Sequence, residues 1–270
     1  MTTAKAFIIL CLTIVLTSCE EAINWPLQPQ NEPLLVVEAV LTNEFKRHTV
    51  KLSRPYPQQG GTAEPVSGAV VRLYTGSSTE TLTEEPPGSG LYLTDSLRIV
   101  SNRLYTLVID YGGQTYFATD VQEPVEPLPP FKYRPASDST YVLAPEASGD
   151  KANYIVHRID WQATGFCTGS RPCQAEVVVY DLKNIDVQAQ FPPDQEVVAF
   201  PAGSTIIRQK YSVSEAYRAY LRGMLSETTW RGGFFDTYPA NPATNLSAGA
   251  TGFFALSTVV ADTVVVTPLN

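Results

Sequence analysis

The sequence RLYTLVIDYGGQTYFATDV, residues 103–121, decides the fold class. Apolar and polar side chains alternate on both sides of Gly112 and Gly113, as they do in half-buried β-strands. Two glycines between alternating runs predict a tight β-hairpin. Short runs of the same character, separated by Gly, Pro, Asn and Ser, fill the chain from residue 34 onward. We therefore predict one β-sandwich over residues 34–122.

A proline-rich segment follows this predicted sandwich. Residues 123–130, EPVEPLPP, contain four prolines and cannot continue a hydrogen-bonded strand ladder. The segment is predicted to be an extended linker or a strap that crosses between two subdomains. Beyond it, β-like runs return at 153–164, 175–184 and 196–213. We expect residues 131–270 to form a second, β-rich subdomain.

One segment of the second subdomain has helical periodicity. Apolar residues recur at helical spacing over residues 213–227, and Ser212 with Glu215 matches the S-x-x-E capping box. The apolar stripe is interpreted as core packing against a sheet rather than as a cofactor site. The runs GFFALSTVV and DTVVVTP near the C-terminus are predicted to form a final hairpin.

The N-terminus has the pattern of an exported lipoprotein. Lys5 precedes an apolar run over residues 6–16 that is too short to span a bilayer, and the run ends in Leu16-Thr17-Ser18-Cys19. This box predicts that residues 1–18 are a signal peptide and that Cys19 is acylated. Three acyl chains would hold the protein stably in a lipid bilayer. The alternative is an ordinary cysteine that follows a plain signal peptide or a hydrophobic N-terminal strand.

The residues after Cys19 indicate a spacer and a location in the cell envelope. Residues 19–33 are rich in Pro, Asn, Gln and acidic residues and have little to bury, so we expect them to separate the fold from the membrane. Glu20-Glu21 resembles the signal that carries some lipoproteins to the outer face of the outer membrane. The alternative is a short, solvated acidic run.

The charge balance disfavours two classes of partner. The net charge is −8 and the sequence contains no basic tract, which disfavours binding to nucleic acid or to anionic lipid. Membrane attachment is therefore assigned to the acyl chains alone.

Two cysteines remain in the predicted mature fold. Cys167 and Cys173 bracket a Gly/Pro-containing turn, and in an oxidising compartment this spacing favours a disulfide. A metal or redox pair is the alternative, but the spacing is not Cys-x-x-Cys and no histidine is nearby.

The sequence carries no recognisable catalytic motif. His48 and His157 are its two histidines, and their positions do not suggest a metal site. Phosphate-binding, dinucleotide-binding and nucleophile-elbow motifs are absent. Carboxylates at Asp160, Asp181, Asp186 and Asp236 are scattered along the chain, and an exported hydrolase that uses two of them as a glycosidase-type pair is the alternative. We therefore predict a protein that is not an enzyme and holds no metal or cofactor.

An aromatic cluster is the candidate binding site. Trp230, Phe234, Phe235 and Tyr238 stand in a Gly-flanked segment outside the predicted strands and helix. Exposed, they would offer a platform for a sugar, a peptide or a protein partner. Burial beneath the long loop is the alternative, and the general burial of aromatics favours it.

Four successive motifs resemble those of a known family. They are LLVVEAVLTNEFKRHTVKLSRPYP, EPVSGAVVRLYTG, EAYRAYLRGMLSET and GGFFDTYPANPATNLSAGATGFFALSTV. They resemble a family of bacterial outer-membrane lipoproteins catalogued as domain of unknown function 4249, over about residues 34–266. The resemblance implies a carboxypeptidase-regulatory or transthyretin-like N-terminal β-sandwich, carried here by residues 64–71. We therefore expect an immunoglobulin- or transthyretin-like sandwich, followed by a second β-rich subdomain with one amphipathic helix. The loop between Cys167 and Cys173 departs from the family pattern.

The resemblance also implies a cellular neighbourhood. Members are commonly encoded beside TonB-dependent outer-membrane receptors, and the family supplies no catalytic residues. We therefore expect a mainly β, lipid-anchored protein of the outer membrane and the cell surface that serves as an accessory subunit of a TonB-dependent β-barrel in nutrient uptake. The alternative is a stand-alone surface lipoprotein that binds a glycan or a peptide.

Overall fold

The computed structural model describes six stretches of the chain, which are residues 34–56, 61–145, 149–167, 172–183, 197–228 and 242–269. The predicted signal peptide, Cys19, the spacer and the aromatic cluster at 230–238 lie outside them. The described residues form β1 (Leu35–Thr42), β2 (Lys46–Ser53), β3 (Val70–Tyr74), β4 (Thr79–Thr81), β5 (Thr83–Glu84), β6 (Leu91–Leu97), β7 (Leu104–Tyr111), β8 (Gln114–Val121), β9 (Tyr133–Pro135), β10 (Thr140–Leu143), β11 (Asn153–Asp160), β12 (Gln174–Asp181), β13 (Phe200–Pro201), β14 (Thr205–Ser212), α1 (Glu215–Thr228), β15 (Ala250–Ser257) and β16 (Val259–Val265).

Two sheets form the predicted sandwich. Sheet A has the strand order β15-β1-β2-β6-β5, and sheet B has the order β4-β3-β7-β8. The alternation in β7 places Tyr105, Leu107 and Ile109 in the core between them, each at most 2% exposed. Gly112 and Gly113 form the predicted hairpin, with φ angles of 60° and 79°, and join β7 to β8. The mainly β fold class is therefore confirmed.

The strand β15 completes sheet A from the other end of the chain. It pairs in parallel with β1, from Leu35 opposite Ala250 to Thr42 opposite Ser257. The sandwich therefore extends beyond residues 34–122, and residues 33–270 form one compact unit. The prediction of a final hairpin is wrong, because β15 lies in sheet A while β16 pairs with β14 in another sheet. The alternation of apolar and polar residues within a strand shows which face is buried. It does not show which distant strand will pair with it.

Sheet D and the helix form a second layer against β15. Sheet D has the order β12-β11-β14-β16. Helix α1 contributes Tyr217, Leu221 and Leu225 to a core that also contains Phe253 and Ala255 of β15. The predicted helix at 213–227 is thus present, and its apolar stripe is core. No helix in the described stretches is long and apolar enough to cross a membrane.

The cap of the helix differs from the prediction. The Ser214 hydroxyl accepts a hydrogen bond from the Tyr217 amide (N–O 3.3 Å), so Ser214 is the N-cap residue. Ser212, the predicted cap, ends β14, and its hydroxyl instead accepts a hydrogen bond from the Thr258 amide (2.8 Å). The S-x-x-E spacing located the start of the helix to within two residues. Its first serine, Ser212, belongs to β14 and does not cap the helix.

The proline-rich segment runs alongside sheet D. Residues 124–130 form no strand, and the Pro127 carbonyl accepts a hydrogen bond from the buried Lys210 ammonium of β14 (3.4 Å). The small sheet C, with the order β13-β10-β9, follows it. Tyr141 and Phe200 of sheet C pack on Ile159 and Ile206 of sheet D. The second half of the chain is therefore β-rich, as predicted.

Candidate functional site

The two cysteines of the predicted fold are joined. The structure links Cys167 and Cys173 by a disulfide, with Cα atoms 5.7 Å apart. The bond closes part of the loop that connects β11 to β12. The Trp161 amide donates to the Cys173 carbonyl (3.0 Å), which extends the β11–β12 ladder to the base of this loop. The disulfide therefore holds the loop at one end of sheet D.

Of the other residues singled out from the sequence, Asp160 lines a groove described below, and the rest do not form a site in the described part of the chain. Trp230, Phe234, Phe235, Tyr238 and Cys19 lie outside the described residues. So do Asp186 and Asp236, whereas Asp181 pairs with Lys183 (Oδ2–Nζ 2.8 Å). Among the described residues, no group of three or more His, Cys, Asp or Glu side chains could hold a metal ion.

The two histidines are buried in separate sheets. His48 lies in sheet A and His157 in sheet D, and each is 1% exposed. The His48 Nε2 atom lies 3.1 Å from the Leu97 carbonyl oxygen, and Nδ1 accepts a bond from the Thr42 amide (3.4 Å). This geometry suits a neutral ring with its proton on Nε2. Burial lowers the pKa of His48 below its usual value, which also favours the neutral form.

A groove of about 700 Å³ lies beside the disulfide loop. We call it the disulfide groove, and its floor is the exposed end of sheet D. The lining side chains that can hydrogen-bond to a ligand come from β11, β12, the loop between them and the start of β14: Arg158, Asp160, Gln162, Gln174, Glu176 and Thr205. Ile207 of β14 adds an apolar side chain. The β11–β12 register sets Arg158 opposite Glu176 and Asp160 opposite Gln174.

The polar groups of the disulfide groove are bonded mainly to one another. Arg158 Nε lies 2.9 Å from the Glu176 carboxylate, and both side chains are half exposed. Asp160 accepts from the Gln162 amide (2.8 Å) and from the Gln174 side chain (3.2 Å). Arg158 offsets the charge of Glu176, so Asp160 remains as the net negative charge. Such a surface can bind a neutral polar ligand by hydrogen bonds.

A second candidate surface is the outward side of sheet B. Strand register places one set of residues on this side, which we call the outer face of sheet B: Val70, Arg72, Tyr74, Leu104, Thr106, Val108, Asp110, Thr115, Phe117, Thr119 and Val121. Phe117 and Leu104 each expose 55% of their surface, and Val70, Tyr74 and Val121 are also exposed. The face is thus apolar, with threonines between the larger side chains.

The charges on this outer face neutralise each other. Arg72 Nη1 lies 2.6 Å from Asp110 Oδ2, and the Thr115 hydroxyl donates to the other carboxylate oxygen of Asp110 (2.6 Å). The Thr115 and Arg72 hydrogen bonds hold the pKa of Asp110 below its usual range. No net charge therefore remains among the residues of this face. Exposed apolar patches of this kind commonly mark protein–protein contacts.

The family model described as Domain of unknown function (DUF4249) matches residues 20–263. The chain belongs to this family. The match was expected from the four sequence motifs, and it spans both the sandwich and sheet D of this DUF4249 protein. No curated protein matches the chain in a sequence comparison.

Neither candidate surface of this DUF4249 protein was found from its sequence. One signal for the outer face of sheet B was present, because β8 carries Tyr116 and Phe117 side by side and only one of them can face the core. The sequence signal for the disulfide groove was weaker. Arg158 and Glu176 meet only through the pairing of β11 with β12, which no local pattern in the sequence predicts.

Proposed function

We propose that this protein is a non-enzymatic, lipid-anchored accessory subunit of a TonB-dependent receptor in nutrient uptake. The N-terminal sequence supports the anchor, since the cleavage box ends at Cys19, and Glu20-Glu21 supports placement on the outer face of the outer membrane. The resemblance to lipoproteins encoded beside such receptors supports the choice of partner.

The outer face of sheet B is the observation that carries a partner-binding role. Aromatic and aliphatic residues at the centre of an interface contribute most when water is excluded around them. Phe117, Leu104 and Tyr74 supply such anchors, while the Arg72–Asp110 pair leaves no unpaired charge to desolvate. A rigid four-stranded sheet presents these groups without an ordering cost for the backbone.

The proposal predicts that a charge on the outer face of sheet B releases the receptor. Phe117→Asp should lower the amount of β-barrel recovered with the protein in mild detergent by about tenfold or more, because it places an unpaired charge at the centre of the contact. The matched control is Phe45→Asp, since Phe45 is 67% exposed but lies between β1 and β2 in sheet A. Mass spectrometry of the bound fraction measures the ratio. Equal recovery with both variants would contradict this use of the face.

The disulfide groove favours a second candidate function, that of a stand-alone binder of a glycan or peptide. Its polar side chains supply the hydrogen-bond donors and acceptors that an uncharged polymer such as a glycan or peptide requires. The full-length protein in detergent should then bind such a polymer without a receptor. Asp160→Asn should weaken this binding several-fold, whereas Asp138→Asn, on an exposed turn elsewhere, should not. Trp230→Ala tests the aromatic cluster in the same titration. Failure of the wild type to bind any polymer would exclude this function.

A further inference from the structure

The polar residues of the disulfide groove form two cross-strand pairs. Strand register sets Arg158 of β11 opposite Glu176 of β12, and Asp160 opposite Gln174. Opposite residues of an antiparallel pair lie about 5 Å apart, and residues two positions apart on one strand are separated by about 7 Å. The four residues therefore mark the corners of a small rectangle, comparable in size with one sugar ring and its hydroxyls.

Several polar atoms of these side chains have bonding capacity left for a ligand. Arg158 donates from Nε to Glu176 and from Nη1 to Gln209, while no described residue accepts from its Nη2 atom. Glu176 accepts the Arg158 bond on Oε2, and no described residue donates to its Oε1 atom. The Gln174 Nε2 atom donates to the opposite carboxylate, which leaves its carbonyl oxygen as an acceptor. The rectangle thus offers both donors and acceptors.

The existing contacts order the two pairs before a ligand binds. Arg158 is held by side chains of both neighbouring strands, β12 and β14. Asp160 accepts from the Gln162 amide (2.8 Å) and from the Gln174 side chain (3.2 Å). Side chains that are already ordered cost less conformational entropy when a ligand binds to them.

A hydroxyl-rich ligand fits this arrangement better than a peptide does. Arg158 can only donate, and the carboxylates of Asp160 and Glu176 can only accept. A hydroxyl donates and accepts at the same atom, so neighbouring ring hydroxyls can bond to both kinds of group. A peptide backbone carries its donors and acceptors on separate atoms, and the strands of the groove floor already pair with each other. The groove therefore favours a saccharide.

The floor and the charge of the groove narrow the ligand further. Ile207 of β14 lies opposite Arg158 and is 42% exposed, so it offers an aliphatic surface to the C–H face of a sugar ring. Asp160 gives the groove a net negative charge, and the whole chain carries −8, so an anionic sugar is repelled. The groove volume of about 700 Å³ lies within the range of small-molecule sites, about 300–1,000 Å³.

We propose that the disulfide groove binds a neutral saccharide. One sugar ring lies between the Arg158–Glu176 and Asp160–Gln174 pairs, with its apolar side on Ile207. This inference rests on the second candidate function and names its ligand class. The groove shares no residue with the outer face of sheet B, so a saccharide and a receptor do not compete for the same side chains.

Calorimetric titration with defined probes tests the ligand class. The full-length protein is kept in a polyoxyethylene detergent, because this detergent has no sugar headgroup. The probes are neutral gluco-, manno-, galacto- and xylo-oligosaccharides, the uronic-acid counterparts of these sugars, and a pool of uncharged peptides. We expect a neutral oligosaccharide to bind and its uronic-acid counterpart to bind about tenfold more weakly or less.

The other outcomes separate this inference from the function on which it rests. Binding of the peptides without any neutral oligosaccharide would overturn the saccharide inference and keep the stand-alone binder. Equal or tighter binding of the uronic-acid sugars would also overturn it. Binding of no probe would overturn both.

Two variants and a matched control locate the saccharide in the groove. Glu176→Gln removes the charged acceptor and Arg158→Lys removes the forked donor, so each should raise the dissociation constant of the bound oligosaccharide by about tenfold or more. Glu38→Gln is the control, because Glu38 forms a similarly exposed cross-strand pair with Lys51 in sheet A (Oε2–Nζ 3.1 Å). A cooperative thermal unfolding transition shows that each variant is folded. Folded groove variants that bind as tightly as Glu38→Gln would overturn the proposal.

Discussion

Asp120 is a carboxylate that the fold buries where the two sheets of the sandwich meet. It belongs to β8, is 9% exposed, and accepts a hydrogen bond from the Leu256 amide of β15. Burial raises the pKa of Asp120 above its usual 3.8, although the Leu256 amide opposes the rise. Asp120 therefore provides a hydrogen-bond acceptor for the Leu256 amide, but its own carboxylate is held away from water.

The raised pKa fixes the direction of a pH effect. The folded state binds the Asp120 proton more tightly than the unfolded chain does, so this contribution to stability is fully present below pH 3.8 and is lost as the pH rises through the folded-state pKa. Asp120→Asn keeps an acceptor for the Leu256 amide and removes the titration. We expect its free energy of unfolding, relative to wild type, to rise as the pH increases from about 4 to 7.

A second variant separates the hydrogen bond of Asp120 from its charge. Asp120→Ala leaves the Leu256 amide buried without its acceptor and should lower the free energy of unfolding by about 1–3 kcal/mol relative to Asp120→Asn at each pH, because neither variant titrates at this position. Denaturant titrations of the three proteins across the pH range measure both effects. Parallel stability curves for wild type and Asp120→Asn would contradict the assignment.

At the scale of elements, β15 lies between the two cores of the molecule. Phe254 and Leu256 face the sandwich, while Phe253 and Ala255 face helix α1. A strand that is buried on both sides leaves little room for adjustment, and at Gly252 its backbone lies close against Val37 of β1. Gly252 has a φ of +93°, and a Cβ atom there would lie 2.1 Å from the Val37 carbonyl oxygen.

Two glycines of similar backbone conformation give a matched test of this contact. Gly113→Ala, in the β7–β8 turn, has no atom within 4 Å of the added Cβ, so it should cost only the strain of positive φ, about 1–2 kcal/mol. Gly252→Ala adds a clash with backbone and should cost about 4 kcal/mol or more. Thermal and denaturant unfolding measure both values. Equal destabilisation by the two substitutions would show that β15 can move away from β1.

At the scale of the whole molecule, local patterns predicted the local structure. Alternation identified the strands, the Gly112-Gly113 pair identified a hairpin, and apolar spacing identified α1. The parallel pairing of β1 with β15 was missed, because no local signal states which distant strand a given strand will join. That pairing turns two predicted subdomains into one compact unit.

The candidate surfaces were harder to predict for the same reason. Phe117 on the outer face of sheet B and Arg158 in the disulfide groove form a surface only together with residues on neighbouring strands. The backbone at the two ends of β16 is bonded by Asn43 and Tyr133, which come from remote parts of the chain. The disulfide, in contrast, joins residues six apart in the sequence and was correctly expected.

The central claim is that this protein is a subunit of a receptor complex, and isolation from its own membranes tests it most directly. The lipidated protein is captured in mild detergent, and mass spectrometry identifies and quantifies what stays bound. The account predicts a TonB-dependent β-barrel in near-equal amount. Recovery of the protein without such a barrel under the same gentle conditions would contradict it.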